Sequence, residues 1–272
     1  MGEDIISSRA NARVKQLRAA FQGHARLSGG LVAIEGDHLL EEALRSGMML
    51  KTVFVSERRG VPGIVPRGVE VLRLTDEVFG SVVETQSPQG VAALMVPPVW
   101  GLADVCAETA DALIVIAAGL QDPGNLGTLV RSAEAFGASG VLTTPGTVSA
   151  WNQKALRASV GSAFRVPVVA VTASEVEELK RRGVRLIAAV GTGGDGVISV
   201  SEMDFCGACA VMIGNEGSGL SAEWIAMCSA RVTIPCPGPV ESLNAAVAGS
   251  LLLYEASRQR EKKSTLSRRN RT

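Results

Sequence analysis

Residues 113–131 of this 272-residue chain read Leu-Ile-Val-Ile-Ala-Ala-Gly-Leu-Gln-Asp-Pro-Gly-Asn-Leu-Gly-Thr-Leu-Val-Arg, and this stretch indicates the fold class. Its apolar, β-branched start predicts a buried strand at Leu113–Ala117. Asp-Pro-Gly-Asn is strong turn chemistry, Leu126–Phe136 fits a helix, and Asn125 is expected to cap it. A strand, a tight loop and a helix in this order predict one unit of an α/β fold.

The same alternation continues through the C-terminal half. Further strands are predicted at Val141–Thr144, Val166–Val169, Arg185–Val190, Ala210–Ile213 and Val232–Ile234. Further helices are predicted at Gln153–Val160, Ser174–Arg182, Ala222–Cys228 and Leu243–Ser257. Apolar strands that alternate with helices imply a parallel sheet covered on both faces. Ligands of such sheets bind beyond the carboxyl ends of the strands, so chemistry is expected in the loops there.

The N-terminal part has a weaker alternation of its own. The pattern predicts a helix at Asn11–Phe21, strands at Leu31–Glu35, Lys51–Val55, Val69–Leu74 and Val91–Val96, a helix at Asp37–Ser46 capped by Asp37, and a helix from Asp76. Pro97-Pro-Val-Trp-Gly101 then interrupts the pattern. We therefore expect a smaller α/β domain at 1–100, a linker at 101–110, a second α/β domain at 111–258 and a basic tail at 259–272.

Charge is distributed unevenly on a chain whose formal net charge is zero. Arg9, Arg13, Lys15 and Arg18 gather near the N-terminus, and seven basic residues face one acid between Arg258 and Thr272. Basic ends suit phosphate contacts, although a solvated charged surface explains them equally well. The apolar runs are too short to span a bilayer, and the start of the chain has no apolar leader segment, so a cytoplasmic protein without a membrane partner is expected.

Two local motifs suggest chemistry that their surroundings do not support. Cys206-Gly-Ala-Cys209 runs into an apolar strand rather than opening a helix, and both histidines lie before residue 39, so buried thiols are favoured over a redox or metal site. Gly191-Thr-Gly-Gly-Asp-Gly196 matches a dinucleotide fingerprint, but the β-branched residues that follow it do not open a helix. The second motif remains a tight loop that can approach some other ligand.

Two further loops follow predicted strands of the C-terminal half. Gly214-Asn-Glu-Gly-Ser-Gly-Leu-Ser221 places three glycines around the carboxylate of Glu216, which lets backbone approach a ligand or a second chain closely. Pro235-Cys-Pro-Gly-Pro-Val-Glu-Ser-Leu-Asn244 is stiffened by three prolines and offers Ser242 and Asn244 at the start of a long apolar helix. Each loop alone is also compatible with an ordinary turn or a capped helix.

In combination these segments resemble a known family. Asn125-Leu-Gly-Thr-Leu-Val-Arg131, Gly214–Ser221 and the run from Ile234-Pro to Ser242-Leu-Asn-Ala-Ala-Val247 are similar to the three motifs of SpoU (TrmH-type) RNA methyltransferases of the SPOUT superfamily. Ile34-Glu-Gly-Asp-His-Leu-Leu-Glu-Glu-Ala43 and Ser87-Pro-Gln-Gly-Val91 resemble the substrate-binding domain of that family. The resemblance implies a trefoil knot, a homodimer, and methyl transfer from S-adenosylmethionine to a ribose 2′-hydroxyl of RNA.

The resemblance also implies roles for individual residues. The cofactor pocket would be built from backbone near Thr192, Gly214, Ile234 and Leu243. Arg131 would be catalytic, and since a guanidinium stays protonated we favour a clamp on the RNA phosphate over a literal base. Asn125, Glu216, Ser242 and Asn244 would orient Arg131, the ribose and the cofactor. Ribosomal RNA is the favoured substrate, with transfer RNA, a non-catalytic RNA-binding module and a nucleotide-dependent oxidoreductase as alternatives.

Overall fold

The computed structural model describes residues 5–24, 29–106, 111–191, 195–240 and 242–269. These residues form twelve strands: β1 (Ile5–Ile6), β2 (Val32–Glu35), β3 (Leu50–Ser56), β4 (Glu70–Leu74), β5 (Val91–Met95), β6 (Leu113–Ala117), β7 (Gly140–Thr143), β8 (Val168–Ala170), β9 (Arg185–Ala189), β10 (Val197–Ser199), β11 (Cys209–Ile213) and β12 (Ala230–Thr233). Their α-helices are α1 (Ala12–Phe21), α2 (Asp37–Arg45), α3 (Asp76–Gly80), α4 (Leu102–Val105), α5 (Pro123–Ala135), α6 (Gln153–Ser159), α7 (Ala173–Arg181), α8 (Ala222–Met227) and α9 (Ala245–Arg269).

The chain divides into two compact units. The N-terminal unit comprises Met1–Val99 together with Trp151–Phe164, and the C-terminal unit comprises Trp100–Ala150 and Arg165–Thr272. The segment Trp151–Phe164, which lies within the range predicted for the second domain, thus packs with the first. Its Gln153 is buried and donates from Nε2 to the Ala33 carbonyl on β2 at 2.8 Å. The chain therefore enters the N-terminal unit twice.

The N-terminal unit is built on a five-stranded sheet in the order β1-β4-β3-β5-β2. Strand β5 runs antiparallel to both neighbours, while β1, β4 and β3 are mutually parallel. Leu17, Phe54 and Phe79 are fully buried in the core on one face. Helix α1 begins after Asn11, whose side chain accepts from the Arg13 N–H. Helix α2 has Gly36 as its N-cap, so the prediction that Asp37 caps it is wrong by one residue.

The C-terminal unit contains seven parallel strands in the order β10-β12-β9-β11-β6-β7-β8, which confirms the predicted parallel sheet. The central strands β6 and β11 are buried along their whole length, because helices cover both faces. Ile114, Leu186 and Met212 belong to the core on one face. Strand β10 was missed in the sequence: it has only three residues, and they lie at the edge of the sheet.

The last helix, α9, is longer than predicted and packs closely on α5. It runs from Ala245 to Arg269, and a Cβ on Gly249 would clash with Leu129 Cδ1 on α5. Ser132 and Ser250 share a hydrogen bond of 2.6 Å between the two helices. Their close approach therefore depends on small residues.

The far end of α9 is anchored to the C-terminal sheet. Arg260 donates to the carbonyl oxygens of Phe205, Gly207 and Asp111. Arg260, the second residue of the predicted basic tail, is thus used inside the fold. Nearby, burial raises the pKa of the Cys206 and Cys209 thiols, in agreement with the expectation of unreactive thiols. Within the described residues, no helix is long and apolar enough to cross a membrane.

Candidate functional site

A cavity of about 300 Å³ lies beyond the carboxyl ends of β9, β11 and β12. Parallel strands end at the same edge of a sheet, so the loops that follow them meet there. The lining residues come from four segments: Ala189–Gly191, Ile213–Gly219, Val232–Ile234 with Cys236, and Ser242, Leu243, Ala245, Ala248 and Leu252. The structure thus brings Gly214, Glu216, Ile234, Ser242 and Leu243 to one cavity. Thr192, also predicted for the pocket, lies outside the described residues.

Hydrogen bonds join the three motif loops beside this cavity. The Glu216 carboxylate accepts from Asn125 Nδ2 at 2.9 Å and from the backbone N–H groups of Asp122 and Gln121 at 3.3 and 3.4 Å. Asn244 Nδ2 donates to Asn125 Oδ1 at 2.9 Å. Asn125 therefore lies between Glu216 and Asn244, and its amide is fixed from both sides.

The start of α5 differs from the prediction in a way that explains this arrangement. Asp122 is the N-cap, and its Oδ1 accepts from the Asn125 N–H at 2.9 Å. Pro123 occupies the first helical position, where its missing N–H costs nothing. The prediction that Asn125 caps the helix is therefore wrong, since Asn125 lies in the first turn and its side chain is available to Glu216. The Asp-Pro pair was the signal for this earlier start.

Asn244 has a second role at the start of α9. Its Oδ1 accepts from the N–H groups of Ala246 and Val247 at 2.9 and 3.2 Å, so it caps the helix. Its Nδ2 meanwhile holds Asn125. One amide thereby aligns the first turns of α5 and α9.

Gly214 is required by its own loop. A Cβ at this position would lie 2.6 Å from the Gly219 carbonyl oxygen and clash with the backbone of Leu220 as well. The loop is closed by paired backbone hydrogen bonds between Asn215 and Gly219. Asn215 Nδ2 also donates to the Gly119 carbonyl at 2.9 Å. The close approach expected at Gly214 is present, and the partner within the structure is the chain itself.

Arg131 lies on the exposed surface of α5, apart from the residues that line the cavity. Its guanidinium makes no hydrogen bond or ion pair with any residue that the structure describes. The predicted orienting residues Asn125, Glu216, Ser242 and Asn244 therefore do not hold it directly. An exposed, unpartnered guanidinium can contact an anion without first breaking an internal interaction.

The environment of Glu216 keeps it ionised. Burial raises the pKa of this carboxyl, but the hydrogen bonds from Asn125, Asp122 and Gln121 outweigh that effect, so the pKa lies below its ordinary value. Because three donors already occupy its oxygens, Glu216 is better suited to holding the loops together than to accepting a proton.

Sequence reasoning missed one polar group in the cavity wall. The Thr233 hydroxyl is buried and has no hydrogen-bond partner among the residues that the structure describes. A buried hydroxyl without a partner is unfavourable, and a polar atom of a bound ligand would satisfy it. Thr233 is the last residue of β12, directly before Ile234, and no local pattern distinguishes it from a strand threonine.

The comparisons with known proteins cover both units. A model of the SpoU rRNA Methylase family matches residues 112–254, and a model of the MRM3-like substrate binding domain matches residues 11–93. The Bacillus subtilis 23S rRNA (guanosine(2553)-2′-O)-methyltransferase RlmP is 36% identical over 250 residues, which cover 92% of this chain and 97% of RlmP.

Two solved structures are similar over nearly the whole length. The SpoU methyltransferase AviRb of Streptomyces viridochromogenes, in complex with AdoMet, has a TM-score of 0.81 at 28% identity and covers 92% of this chain and 98% of its own. An AdoMet-bound rRNA methyltransferase of Sinorhizobium meliloti has a TM-score of 0.81 at 28% identity, with coverage of 94% and 97%. With more than half of the sequence matched by one family model and a relative aligned almost from end to end, this protein belongs to the SpoU rRNA methylase family.

Proposed function

We propose that this protein transfers the methyl group of S-adenosylmethionine to the 2′-hydroxyl of a ribose in ribosomal RNA. The observation that carries this proposal is that two of the three motif loops line one cavity and the third is bonded to both, because Asn125 is hydrogen-bonded to Glu216 and to Asn244. RlmP is named as a 2′-O-methyltransferase of 23S rRNA, and the structures from Streptomyces and Sinorhizobium contain AdoMet. Because ribosomal RNA is the proposed substrate, we place the protein in the cytoplasm.

The cavity fits this cofactor in size and in lining. A volume of about 300 Å³ is at the small end of ligand pockets, and its apolar side chains suit an adenine ring. The unpartnered Thr233 hydroxyl offers a hydrogen bond to a polar atom of the cofactor. Gly214, Ile234 and Leu243, with Thr192, remain our predicted backbone contacts. When bound, S-adenosylmethionine supplies a methyl group that its sulfonium charge has already activated.

The residues of the chain have to align the ribose and stabilise charge on its oxygen. A 2′-hydroxyl is a poor nucleophile until its proton is shared, so alignment and electrostatics carry the catalysis. We assign Asn125, Glu216 and Asn244 to positioning, because their polar atoms hold one another and the helix starts. Ser242, exposed at the cavity, is available to contact the ribose.

Arg131 is the proposed catalytic residue. Its guanidinium remains protonated under all relevant conditions, so it acts as a clamp on the RNA phosphate beside the reacting ribose. That phosphate then helps to accept the proton of the 2′-hydroxyl. The exposed, unpartnered state of Arg131 supports a role toward RNA rather than toward the cofactor.

We also propose a homodimer formed through α9. Val247, Leu251 and Tyr254 follow one another at helical spacing and are 47%, 42% and 53% exposed in the single chain. The opposite face of the helix, with Ala246, Leu253 and Ala256, is buried. A second copy would cover the exposed apolar stripe. Leu251→Glu should then give a monomer by light scattering.

The trefoil knot implied by the resemblance likewise stays a prediction.

One set of measurements tests the proposed function. Calorimetry should show binding of S-adenosylhomocysteine and none of NADH, which separates a methyltransferase from an oxidoreductase. Tritium transfer from S-adenosylmethionine should label protein-free 23S ribosomal RNA, and alkali-resistant dinucleotides should locate the label on the ribose. Label in transfer RNA alone would contradict the ribosomal substrate, and cofactor binding without any label would favour a non-catalytic RNA-binding module.

A further inference from the structure

Five arginines of the N-terminal unit are each neutralised by a neighbouring carboxylate. The pairs are Arg9 with Glu77, Arg13 with Glu70, Arg45 with Glu42, Arg58 with Asp76 and Arg59 with Asp37. A paired cation contributes less to the field that an approaching anion meets. Two of the four basic residues that the sequence suggested for phosphate contacts, Arg9 and Arg13, are therefore already engaged.

Other cations of this unit have no such partner. Five side chains make no hydrogen bond or ion pair with any described residue: those of Lys15, Arg18, Lys51, Arg67 and Arg157. Lys51 lies on β3, Arg67 between β3 and β4, and Arg157 on α6. Lys15 and Arg18 instead share α1, three residues apart, where side chains project from the same face of a helix.

These two cations line a groove along α1. The groove is shallow and open to solvent, and its lining consists of Ala12, Arg13, Lys15, Gln16, Arg18, Ala19 and Gln22. Helix α1 contains no acidic residue, so nothing on the helix itself offsets the positive charge. Its one aromatic residue, Phe21, is buried in the core. The surface can therefore attract anions but has no ring on which a base could stack.

We infer that this α1 groove holds the phosphate backbone of the RNA substrate, an inference that rests on the proposed function. Lys15 and Arg18 supply the charge, and the amide of Gln22 adds a neutral hydrogen-bond donor. Phosphate contacts of this kind fix the position of an RNA without reading its sequence. The N-terminal unit thus anchors the RNA through α1, and Arg9 contributes little.

The salt dependence of RNA binding tests the inference. The test variant carries Lys15→Gln and Arg18→Gln, and the matched control carries Lys51→Gln and Arg67→Gln, which removes two unpaired cations from separate elements. Filter binding of protein-free 23S ribosomal RNA is measured across a range of salt concentrations. In the test variant the slope of log affinity against log salt should fall by about 1.5, since each phosphate contact contributes about 0.7–0.9. The control should lose much less.

The outcomes separate this inference from the proposed function. An unchanged slope in the test variant overturns the inference that the α1 groove binds RNA. A groove that binds an acidic protein instead would give the same unchanged slope. An equal loss in the control overturns it as well, because total charge would then suffice. Lys15 is exposed and Arg18 half-exposed, so both variants should keep the wild-type circular dichroism spectrum. Failure of the wild-type protein to bind S-adenosylhomocysteine would instead refute the proposed function.

Discussion

The two sheets treat their carboxyl edges differently. At the C-terminal sheet, the loops after the strands are joined by Glu216 and two asparagine amides and leave a cavity between them. At the N-terminal sheet, Arg59 follows β3 and donates to the Asp37 carboxylate after β2 and to the Gln89 carbonyl before β5. One edge is held mainly by side-chain amides around a space, and the other by a charged side chain that reaches from loop to loop.

The contrast separates what the position of a loop determines from what its side chains determine. A strand end in a parallel sheet predicts where a ligand can bind. The side chains there decide whether polar groups remain available. The N-terminal edge uses both terminal nitrogens of its arginine internally, whereas the C-terminal unit leaves the guanidinium of Arg131 without a described partner. Chemistry is therefore expected in the unit that leaves such a side chain available.

The largest expected effect comes from removing the unpartnered arginine. Arg131→Ala should lower the methylation rate by roughly 100- to 1,000-fold, the usual cost of removing one group that stabilises charge in a transition state. Stability and S-adenosylhomocysteine affinity should stay near wild type, because the Arg131 guanidinium has no partner to lose in the described part of the chain. Arg131→Lys should restore little activity. Substantial turnover by Arg131→Ala would contradict its catalytic role and, with it, the contrast between Arg131 and the internally bonded Arg59.

One glycine at each edge extends the comparison to the backbone. Gly214→Ala should destabilise the C-terminal unit by about 1–3 kcal/mol, because the new methyl meets backbone that cannot move without opening the loop. Gly90→Ala at the N-terminal edge meets only the Ser56 and Arg59 side chains, at 3.1 and 3.2 Å, although its φ of +76° adds strain. Urea unfolding measures both variants. S-adenosylhomocysteine binding should weaken in Gly214→Ala alone.

Acidification should loosen the loop network through Glu216. Its folded-state pKa is lowered, so the stabilisation is fully present above the ordinary value of 4.5 and is lost as the pH falls through the folded value. Glu216→Gln turns an acceptor toward three donors into a group that also donates, and it should weaken cofactor binding at neutral pH. In that variant the affinity should no longer fall at acidic pH for this reason. If the cofactor affinity of Glu216→Gln falls at acidic pH as it does in the wild-type protein, another group controls this pH dependence.

The helix cap at Asn244 should give a smaller change in stability. Asn244→Ala removes the acceptor for two N–H groups of α9, at a cost of about 1 kcal/mol. Asn244→Asp keeps the cap but replaces the amide that donates to Asn125. It should therefore recover the stability, measured by urea unfolding, without recovering methylation. Equal activity in the two variants would contradict the positioning role.

The smallest effect is expected at the N-terminal edge. Arg59→Gln removes a partly exposed ion pair with Asp37, which is typically worth under about 1 kcal/mol. Cofactor affinity should not change. Raising the salt concentration should narrow the stability difference between variant and wild type, since screening weakens the pair in the wild type and the variant has no such pair. A stability loss larger than that of Gly214→Ala would reverse the assignment of the two edges.

Much of the fold follows from the sequence where the apolar pattern is strong. Strand β6 was predicted at Leu113–Ala117 and occurs at those residues, because a continuous apolar run between turn residues has few alternatives. Strands β1 and β10 were missed, since two or three residues cannot establish a period. The cap of α5 was misplaced because Asp122 and Asn125 are both good caps, and only the structure of the whole loop assigns Asn125 to Glu216.

The location of the candidate site could be predicted from the sequence, but its hydrogen bonds could not. Two of the three motif loops line one cavity at the carboxyl edge of the sheet, and the third is hydrogen-bonded to them beside it. The bond between Asn125 and Asn244 joins residues 119 positions apart, and no local pattern carries that information. Thr233 was missed for a related reason, because a missing partner is a property of the packed structure alone.

The return of Trp151–Phe164 to the N-terminal unit constrains how this protein is made. A ribosome that has just synthesised Val99 has not yet produced the segment whose Gln153 binds the Ala33 carbonyl of β2. At about 5–20 residues per second, that segment is completed roughly 3–13 s later. During this interval the N-terminal sheet lacks the segment that will pack on it, while β6, one of the central strands of the C-terminal sheet, has already been synthesised. The N-terminal unit can therefore be completed only after synthesis of the C-terminal unit has begun.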